Sequence, residues 1–572
     1  MKILTGKDIR RADLYTMEHE PVTGIALMER AAVALEAEIV AAAETQESRK
    51  PAAEMLESLK AASGMQKQAV LQPGGVPQKA DVPEYLVIAG KGNNGGDGLA
   101  VARLLYDRFG GCRSISVLLT ALSGDLSEDC RLNLDRLPEG VCRYSLTDGR
   151  IFADSGEIPP EQLFRRNTVV IDAILGSGVA GSVRGAALEA IRLVNSHSRS
   201  CRMVVSVDLP SGLPTEPPSG PGGTIPADVV RADLTLTIEF PKLPLLLPET
   251  GKFAGRLRTV HIGLDCSFIE SCVSPFSAID AEFVRTLLKP RQEFDHKGTH
   301  GHALIIAGSA EYMGAAILCA GAALRSGCGL VTAHIPSEGR TAMLVAHPSA
   351  IISADPSSVF SSLPERFSKY SSVAAGPGLG KAEPSVAALK ELLACLPQYE
   401  NIRALVLDAD ALNIISEHPG MLAAIPAGSV LTPHPGELAR LLRAAAECGM
   451  IDSAAPAAGT PWTDDMHRLA LVRQLCRSLK SVMVVKGAHT MTCSPDGRCF
   501  FNMSGNPGMA KGGSGDVLTG LIAGLAARGY DPLTAALLGV WFHGCAGNDA
   551  AASWGVESMN AADILENIRI RI

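Results

Sequence analysis

The sequence has no uninterrupted apolar run of about 18 residues, the length a bilayer-spanning helix needs. Its longest candidate, "FPKLPLLLPE", is cut by three prolines, so no membrane span is expected. A basic excess is also missing. The formal net charge of −8 argues against nucleic acid as a partner. The N-terminus, "MKILTGKDIRRADLYTMEHE", turns charged at once and has no apolar segment of the secretory kind, so a signal peptide is not expected. The 14 cysteines show neither C-x-x-C nor regular spacing. They read as reduced thiols of a cytoplasmic protein, mostly small core fillers.

What is present is a soluble globular composition, 47% hydrophobic and 20% charged, over 572 residues. That length allows roughly three to four domains, or two if the units are large α/β folds. Residues 8–43 read as two helices, the second being "GIALMERAAVALEAEIVAAA" with helical apolar spacing. The polar, Gly/Pro-punctuated stretch at about 46–82 reads as an exposed insertion with one short helix near 52–62. Strand candidates then alternate with helical stretches: "YLVIAG", "SISVLLT", "TVVIDAIL", "MVVSVDLP", "ADLTLTIE" and "RLRTVHIG". The pattern lapses near 265–290 and restarts with "HALIIAGS", "GLVTAHIP", "SSVAAGPGLG", "ALVLDAD", "SVLTPHP" and "SVMVVKGA". This is the βαβ signature of parallel sheets, with one α/β domain expected at 1–270 and another at 280–572.

In the first half, "VIAGKGNNGGDGLAVARLL" places Gly90, Gly92 and Gly95 in a G-x-G-x-x-G turn between a strand and a helix. A coenzyme-binding loop of that kind has an acidic residue at the end of the next strand. Here that strand ends at Thr120, and no carboxylate comes before Asp125. Asp97 would repel a phosphate at the helix start, or would simply cap the helix. Two further strand ends carry acids: Asp172 before the Gly/Ser loop Gly176–Ser182, and Asp208 before Ser211. Ligands bind at the carboxyl ends of such strands. Asn94, Asp172 and Ser211 can converge there as oxygen ligands for a cation, and Asp208 can act as a general base. Each acid alone also suits a turn cap.

Together "GKGNNGGDG", "DAILGSGVAGSVRG", "VDLPSG" and "ADLTLTIEFPKLPLLLPETG" resemble, in order, the NAD(P)H-hydrate epimerase family over residues 5–265. The resemblance implies a Rossmann-like doubly wound sheet and a potassium ion on Asn94, Asp172 and Ser211. It implies hydrate contacts from Asn93, Asn94, Gly95, Gly96 and Asp97, from Gly176, Ser177, Gly178, Val179, Ala180, Gly181 and Ser182, and from Asp208. The opening loop then binds a nicotinamide nucleotide as damaged substrate, not as coenzyme.

The second half holds "NMSGNPGMAKGGSGDVLTGLIAGLAARG", where Gly512, Gly513 and Gly515 precede or flank a helix start that carries Asp516. Free amides there make an anion site, and an adjacent Asp can deprotonate a hydroxyl while they hold phosphoryl oxygens. The plainer alternative is a glycine loop with Asp516 as N-cap. "VVKGAHT" offers Lys486 and Thr490 to phosphate or ribose oxygens, and "LTPHPGELARLL" sets His434 and Glu437 at a helix entry. His296, His300 and His302 in "HKGTHGH" lack the partners for a zinc site.

These runs, with "KGTHGHALIIAGSAEYMGAA", "GPGLG", "DADALN" and "GVWFHGCAG", resemble the ADP/ATP-dependent NAD(P)H-hydrate dehydratases over residues 295–550. The resemblance implies a ribokinase-like α/β fold and hydrate contacts at Ala315, Gly378, His434 and Asp516. It implies adenine nucleotide contacts at Lys486, Gly487, Ala488, His489, Thr490 and Gly515. Fusion of both halves implies ADP as donor, with ATP the alternative and Mg2+ on the nucleotide phosphates. A homo-oligomer is compatible with all of this. Lys511 stands where a small residue is expected, either adding charge near the phosphates or pointing outward. The expected activity is repair of hydrated NAD(P)H, by epimerisation of its R and S forms and nucleotide-dependent dehydration. A ribokinase-like kinase of a small hydroxyl compound, fused to a nucleotide-binding domain, is the rival enzymatic reading. A nucleotide-binding scaffold is the non-enzymatic one.

Overall fold

The computed structural model describes residues 1–45, 82–120, 126–178, 182–218, 225–452 and 459–571. The expected insertion, apart from Val82, lies outside the described residues, as do Val179, Ala180 and Gly181 of the expected hydrate loop. The chain divides into two units, Ile3–Val273 and Ser274–Ile572, and Met1–Lys2 belong to the latter. The Met1 ammonium pairs with Asp280 at 3.4 Å, and Lys2 bridges Ser277.

In the first unit, α1 (Gly6–His19) and α2 (Gly24–Glu44) precede the sheet. Helix α2 starts where Thr23 caps the Ala26 amide, and it buries Leu27, Ala31, Leu35 and Ile39 along one face. The strands are β1 (Glu84–Ala89), β2 (Ile115–Leu119), β3 (Cys142–Thr147), β4 (Arg150–Ala153), β5 (Gly156–Ile158), β6 (Thr168–Ala173), β7 (Met203–Val207), β8 (Leu234–Ile238) and β9 (Arg256–Val260). Their order is β5-β4-β3-β2-β1-β6-β7-β8-β9. All pairs from β3 to β9 are parallel, and β4 and β5 extend one edge as antiparallel strands. The central strands are near-continuous apolar runs because helices cover both faces. Among the helices of this unit are α3 (Asn93–Phe109), α4 (Glu128–Asp135) and α5 (Gly185–His197).

The second unit contains β10 (Phe276–Ile279), β11 (His302–Ile306), β12 (Leu330–Pro336), β13 (Ile351–Asp355), β14 (Ser372–Ala375), β15 (Leu405–Leu407), β16 (Val430–Leu431), β17 (Val482–Val485), β18 (Met491–Cys493) and β19 (Cys499–Asn502). They run β10-β19-β18-β17-β16-β15-β14-β11-β12-β13. The seven strands β11 to β17 are parallel, and their order repeats that of β1, β2, β3, β6, β7, β8 and β9 in the first unit. Each sheet therefore reverses its winding once, between β1 and β6 in the first and between β11 and β14 in the second. Such switch points open a crevice beyond the carboxyl ends of the strands. The helices that shape the second crevice are α6 (Met313–Arg325), α7 (Glu383–Cys395), α8 (Ala409–Glu417), α9 (Pro435–Glu447), α10 (Asp465–Leu479), α11 (Ser514–Ala527) and α12 (Pro532–Trp554).

Helix α11 lies tight against α6. A Cβ on Gly520 would come within 1.9 Å of the Cys319 carbonyl, and one on Gly524 within 2.1 Å of Ser326 Oγ. Those glycines set how closely the two helices approach, and so fix where α11 begins. All 14 cysteines are free thiols; six are buried and four are exposed, so core filling accounts for fewer than half of them rather than most. Among the described residues no helix is long and apolar enough to cross a membrane.

Candidate functional site

The first crevice is built on β1, β6 and β7. The turn after β1 is held by packing as much as by glycine freedom. A Cβ on Gly90 would sit 1.8 Å from the Ile174 carbonyl, and one on Gly95 2.0 Å from the Gly90 carbonyl. Gly92 has nothing within 4 Å, so its missing side chain leaves room rather than relieving a clash. Helix α3 starts at Asn93 with Gly92 as a cap that makes no side-chain bond. Asp97 lies inside the helix, so the capping alternative for it does not hold.

Asn94, Asp172 and Ser211 come together around the chain at Leu175. Ser211 Oγ reaches Asp172 Oδ1 at 2.5 Å and the Leu175 carbonyl at 3.1 Å. Asn94 Nδ2 donates to that same carbonyl at 3.0 Å. Asp172 is fully buried and also accepts from Ser206 Oγ at 2.7 Å and the Ser211 amide at 2.9 Å. Burial raises its carboxyl above the ordinary value, and these hydrogen bonds oppose the rise. Gly176 packs on Asn94, where a Cβ would meet Asn94 Cβ at 2.9 Å. Thr215 Oγ1 donates to the Ser177 carbonyl at 2.6 Å, while Gly178, Ser182 and Asn93 are exposed.

Asp208 follows β7 with a left-handed φ of 65°, rare for a non-glycine residue. Its Oδ1 accepts from the buried ammonium of Lys242 and from the Ile238 amide at 3.1 Å. Two more carboxyls share this neighbourhood. Burial pushes Asp13 of α1 up to about 6, with Lys242 pulling it back and Asp208 and Glu239 adding to the rise. Burial also raises Asp97 well above its ordinary value, reinforced by Asp208, Asp13 and Asp129. Sequence reasoning left Lys242 and Asp13 without a role. Their part depends on which strand ends meet, and nothing in their local pattern signals it.

The second crevice is ringed by the loops after β11, β14, β15, β16 and β17 and by the start of α11. Gly513, with φ 89°, is the helix cap, and Asp516 is the third helical residue, so Asp516 is not the N-cap. Burial pushes the Asp516 carboxyl up to about 7; Asp408 adds to the rise and Lys486 opposes it. Lys486 Nζ donates to Asp408 Oδ1 at 2.7 Å, and Thr519 Oγ1 to Asp408 Oδ2 at 2.7 Å. Gly515 adjoins both, since a Cβ there would meet Lys486 Nζ at 3.2 Å and Asp408 Oδ2 at 3.6 Å. Burial works against the Lys486 charge, but Asp408 and Glu437 hold its ammonium above the usual value. Asp408 is missed by sequence reasoning, in which "DADALN" enters only as one of the runs shared with the dehydratases.

The remaining expected residues fall around this cluster. Gly378, with φ 65°, packs on Ala315 and Tyr312. Gly380 N donates to Asp410 Oδ2 at 2.9 Å, tying the β14 and β15 loops together. His434 caps α9: its Nδ1 accepts from the Gly436 amide at 3.0 Å, and Glu437 accepts from the His434 amide at 2.8 Å. Thr490 Oγ1 closes the 487–490 turn on the Gly487 carbonyl at 3.1 Å, Gly487 and Ala488 are exposed, and His489 Nδ1 meets the Asn502 carbonyl at 3.1 Å. Lys511 is exposed, and its side chain has a structural partner. Its ammonium donates to the carbonyls of Glu557 at 2.5 Å and Met559 at 2.6 Å, anchoring the segment after α12. The three histidines at 296–302 are engaged separately: His296 with the Gly298 amide, His300 with Asp295 and His302 with Thr332.

Comparison with known proteins adds the following. Residues 303–569 match the family described as NAD(P)H-hydrate dehydratase, and residues 24–244 match the YjeF-related protein N-terminus. A bifunctional NAD(P)H-hydrate repair enzyme Nnr of Moorella thermoacetica is 36% identical over 84% of this chain and 86% of its own length. The protein of that name from Escherichia coli is 33% identical over 86% of this chain and 85% of its own. An ADP/ATP-dependent NAD(P)H-hydrate dehydratase of Bacillus subtilis, crystallised with ATP and Mg2+, is 27% identical over 51% of this chain and 96% of its own, with a TM-score of 0.41.

Proposed function

The chain belongs to the bifunctional NAD(P)H-hydrate repair enzymes, and from that membership we propose which residues carry its two activities. It is an enzyme that epimerises hydrated NAD(P)H and dehydrates it back to NAD(P)H in a nucleotide-dependent reaction. In our reading the first unit, close to the expected span 1–270, holds the epimerase, and the second, close to 280–572, holds the dehydratase.

Dehydration rests on one observation above all: Asp516, raised to about 7, stands in the first turn of α11 beside Lys486 and Gly515. A carboxylate with that value is matched to proton transfer near neutrality. Asp516 takes the proton of the hydrate hydroxyl, and the hydroxyl oxygen attacks the terminal phosphoryl group of the nucleotide. The amides at the start of α11 and the Lys486 ammonium hold the phosphoryl oxygens as charge shifts. Hydroxide, a poor leaving group, has become phosphate. The nucleotide leaves one phosphate shorter; the phosphate then departs with the electron pair of its C–O bond, pushed by the ring nitrogen lone pair, and loss of the neighbouring ring proton to solvent leaves its C–H pair as the new C=C bond of NAD(P)H. Ala315, Gly378 and His434 line the hydrate side, and Lys486–Thr490 with Gly515 the nucleotide side. ADP is our reading of the donor. Asp408, Asp410 and Glu437 already have protein partners, so Mg2+ fits as an ion carried on the nucleotide phosphates, where it would neutralise charge.

Epimerisation we assign to Asp208, which moves the proton, with Asn93–Asp97 and Gly176–Ser182 holding the hydrate. The Asp172 carboxylate, the Ser211 hydroxyl and the Leu175 carbonyl suit a hard cation, Asn94 would join them once its amide turns its oxygen rather than Nδ2 toward Leu175, and potassium would hold the loops after β1, β6 and β7 in register.

The deciding experiment mixes protein, hydrated NADH and ADP with Mg2+ and follows near-ultraviolet absorbance. Return of the NADH band, with phosphate released, supports the reading. A stable phosphate ester with no NADH would make the second unit a kinase.

A further inference from the structure

Lys242 is only 1% exposed, and lysine is almost never that buried unless paired. Its ammonium has three protons and meets three acceptors: Asp208 Oδ1, Thr237 Oγ1 at 3.1 Å and the Ile238 carbonyl at 2.8 Å. The nitrogen is thus fixed from three sides and has no proton left to offer a substrate. Asp208 is fixed in the same way. Its amide donates to the Leu236 carbonyl at 2.8 Å, and both side-chain bonds fall on Oδ1. Among the described residues, Oδ2 receives no hydrogen bond.

The surroundings explain why a cation is needed. Asp13 comes from α1, Asp97 from α3, Asp129 from α4 and Glu239 from the end of β8, and their charges all bear on this cluster. Lys242 is the cation set against them. Burial already favours the protonated form of Asp97, and crowded carboxyls cannot all ionise, so without the ammonium more of them would hold protons.

On the reading that Asp208 moves the epimerisation proton, we propose that Lys242 is its positioning residue, with one carboxylate oxygen anchored to the ammonium and the other left for the substrate proton. Thr237 and the Ile238 carbonyl in turn hold Lys242. The left-handed backbone at Asp208 brings the carboxylate to this anchor at the strand end, where the hydrate binds. Lys242 itself makes no contact with substrate. It acts through the charge and the orientation of Asp208.

The test uses the full chain with Lys242→Met, Lys242→Arg and Asp208→Asn. Conversion of R hydrate is coupled to the dehydratase and measured from about pH 5.5 to about 9, spanning the range in which a positioned carboxyl takes up its proton. Turnover of purified S hydrate is the internal reference for active protein. Lys242→Met should lose roughly 10²-fold in kcat near pH 7, the scale of a misplaced base, with KM little changed. The acid limb of its profile should move to higher pH, since the carboxyls now compete for protons. Lys242→Arg should put the limb back and recover part of kcat. A Lys242→Met profile that is lower but unshifted overturns the assignment. If Lys242→Met does not fold, Lys242→Arg decides: reduced kcat on an unshifted limb supports the assignment, and wild-type kcat overturns it. Asp208→Asn separates the two layers. Wild-type epimerisation in that variant removes the reading of Asp208 itself, whereas its loss beside an unshifted Lys242→Met profile removes only Lys242.

Discussion

Lys486 and Asp408 meet at 2.7 Å in the second unit, and Thr519 of α11 completes the carboxylate from the other side. The pair joins the end of β17 to the end of β15 and to the helix that carries Asp516. Charge, position and helix placement are therefore tied together at one point.

Breaking that pair from the Asp408 side should be costly. Asp408 is 1% exposed and Lys486 is largely covered, so removing the carboxylate leaves the cation with only the more distant Glu437, at 3.9 Å. Loss of one member of a buried pair costs about 3–5 kcal/mol. Asp408→Ala should lower the denaturant midpoint of the second unit accordingly, and Asp408→Asn, which can still accept from Thr519, should lower it less. An unchanged midpoint in Asp408→Ala would show that the pair contributes nothing to stability.

The dehydration rate should follow the Asp516 carboxyl, raised to about 7. The base form is the active one, so kcat/KM should fall about tenfold per pH unit below 7 and level off above it. Asp516→Asn should lose roughly 10²–10⁴-fold and still bind nucleotide through the α11 amides and Lys486. A flat profile between about pH 5.5 and 8 would remove the carboxyl from the rate-determining chemistry.

The same residue should cost stability. A carboxyl raised from 3.8 to about 7 binds its proton more tightly in the folded chain than in the unfolded one. Folding then takes up a proton between those values, so stability falls as pH rises through that window. Above it the folded chain keeps a buried charge. Asp516→Asn should therefore melt above the wild type at pH 8, and the difference should vanish near pH 4. Calorimetry at both values checks this. Equal melting at pH 8 would mean that the site holds the charge at no cost, with function and stability not in conflict.

The doubly wound plan was legible because buried parallel strands are apolar throughout and end in turn residues, as "VVIDA" and "VVSVD" do. Acids at those ends could be flagged one by one. Their partners could not. Asp408 is 111 residues from Thr519, and Asp208 is 34 from Lys242, with the intervening strands deciding who meets whom. Periodicity reports which face of an element is buried, and it says nothing about which loops share a crevice. Lys511 shows the converse: a charge in a glycine-rich anion loop suggested phosphate, yet its ammonium is taken by two carbonyls far along the chain.

The glycines of the opening motif should not be equivalent. Gly90→Ala and Gly95→Ala each place a Cβ within about 2 Å of a backbone carbonyl, which no side-chain movement relieves, while Gly92→Ala meets nothing. The first two should destabilise the first unit and abolish epimerisation while the second unit still dehydrates S hydrate. Gly92→Ala should melt like the wild type, and any loss it shows should appear in KM, because the open space there suits a bound hydrate. A wild-type melt for Gly95→Ala would mean that the turn after β1 is less tightly packed than described.

Potassium should matter to one activity and not to the other's chemistry. Asn94 and Ser211 meet at the Leu175 carbonyl, and Ser211 links them to Asp172, all at the first crevice. Spontaneous hydration yields both epimers. The dehydratase should accept only the one whose hydroxyl faces Asp516 in line with the donor phosphate, because misplacement of reacting groups is punished steeply. In tetramethylammonium buffer, a mixed hydrate should then be consumed in two phases. The S share should go at the usual speed, and the R share should wait on epimerisation slowed by the loss of the ion. Adding potassium should merge the phases, and Asp172→Asn should keep them apart at any potassium concentration. If the mixture disappears in one fast phase without potassium, while uncatalysed epimerisation is shown to be slow, the cation plays no part. Asn94, Asp172 and Ser211 would then be holding the loops by their hydrogen bonds alone.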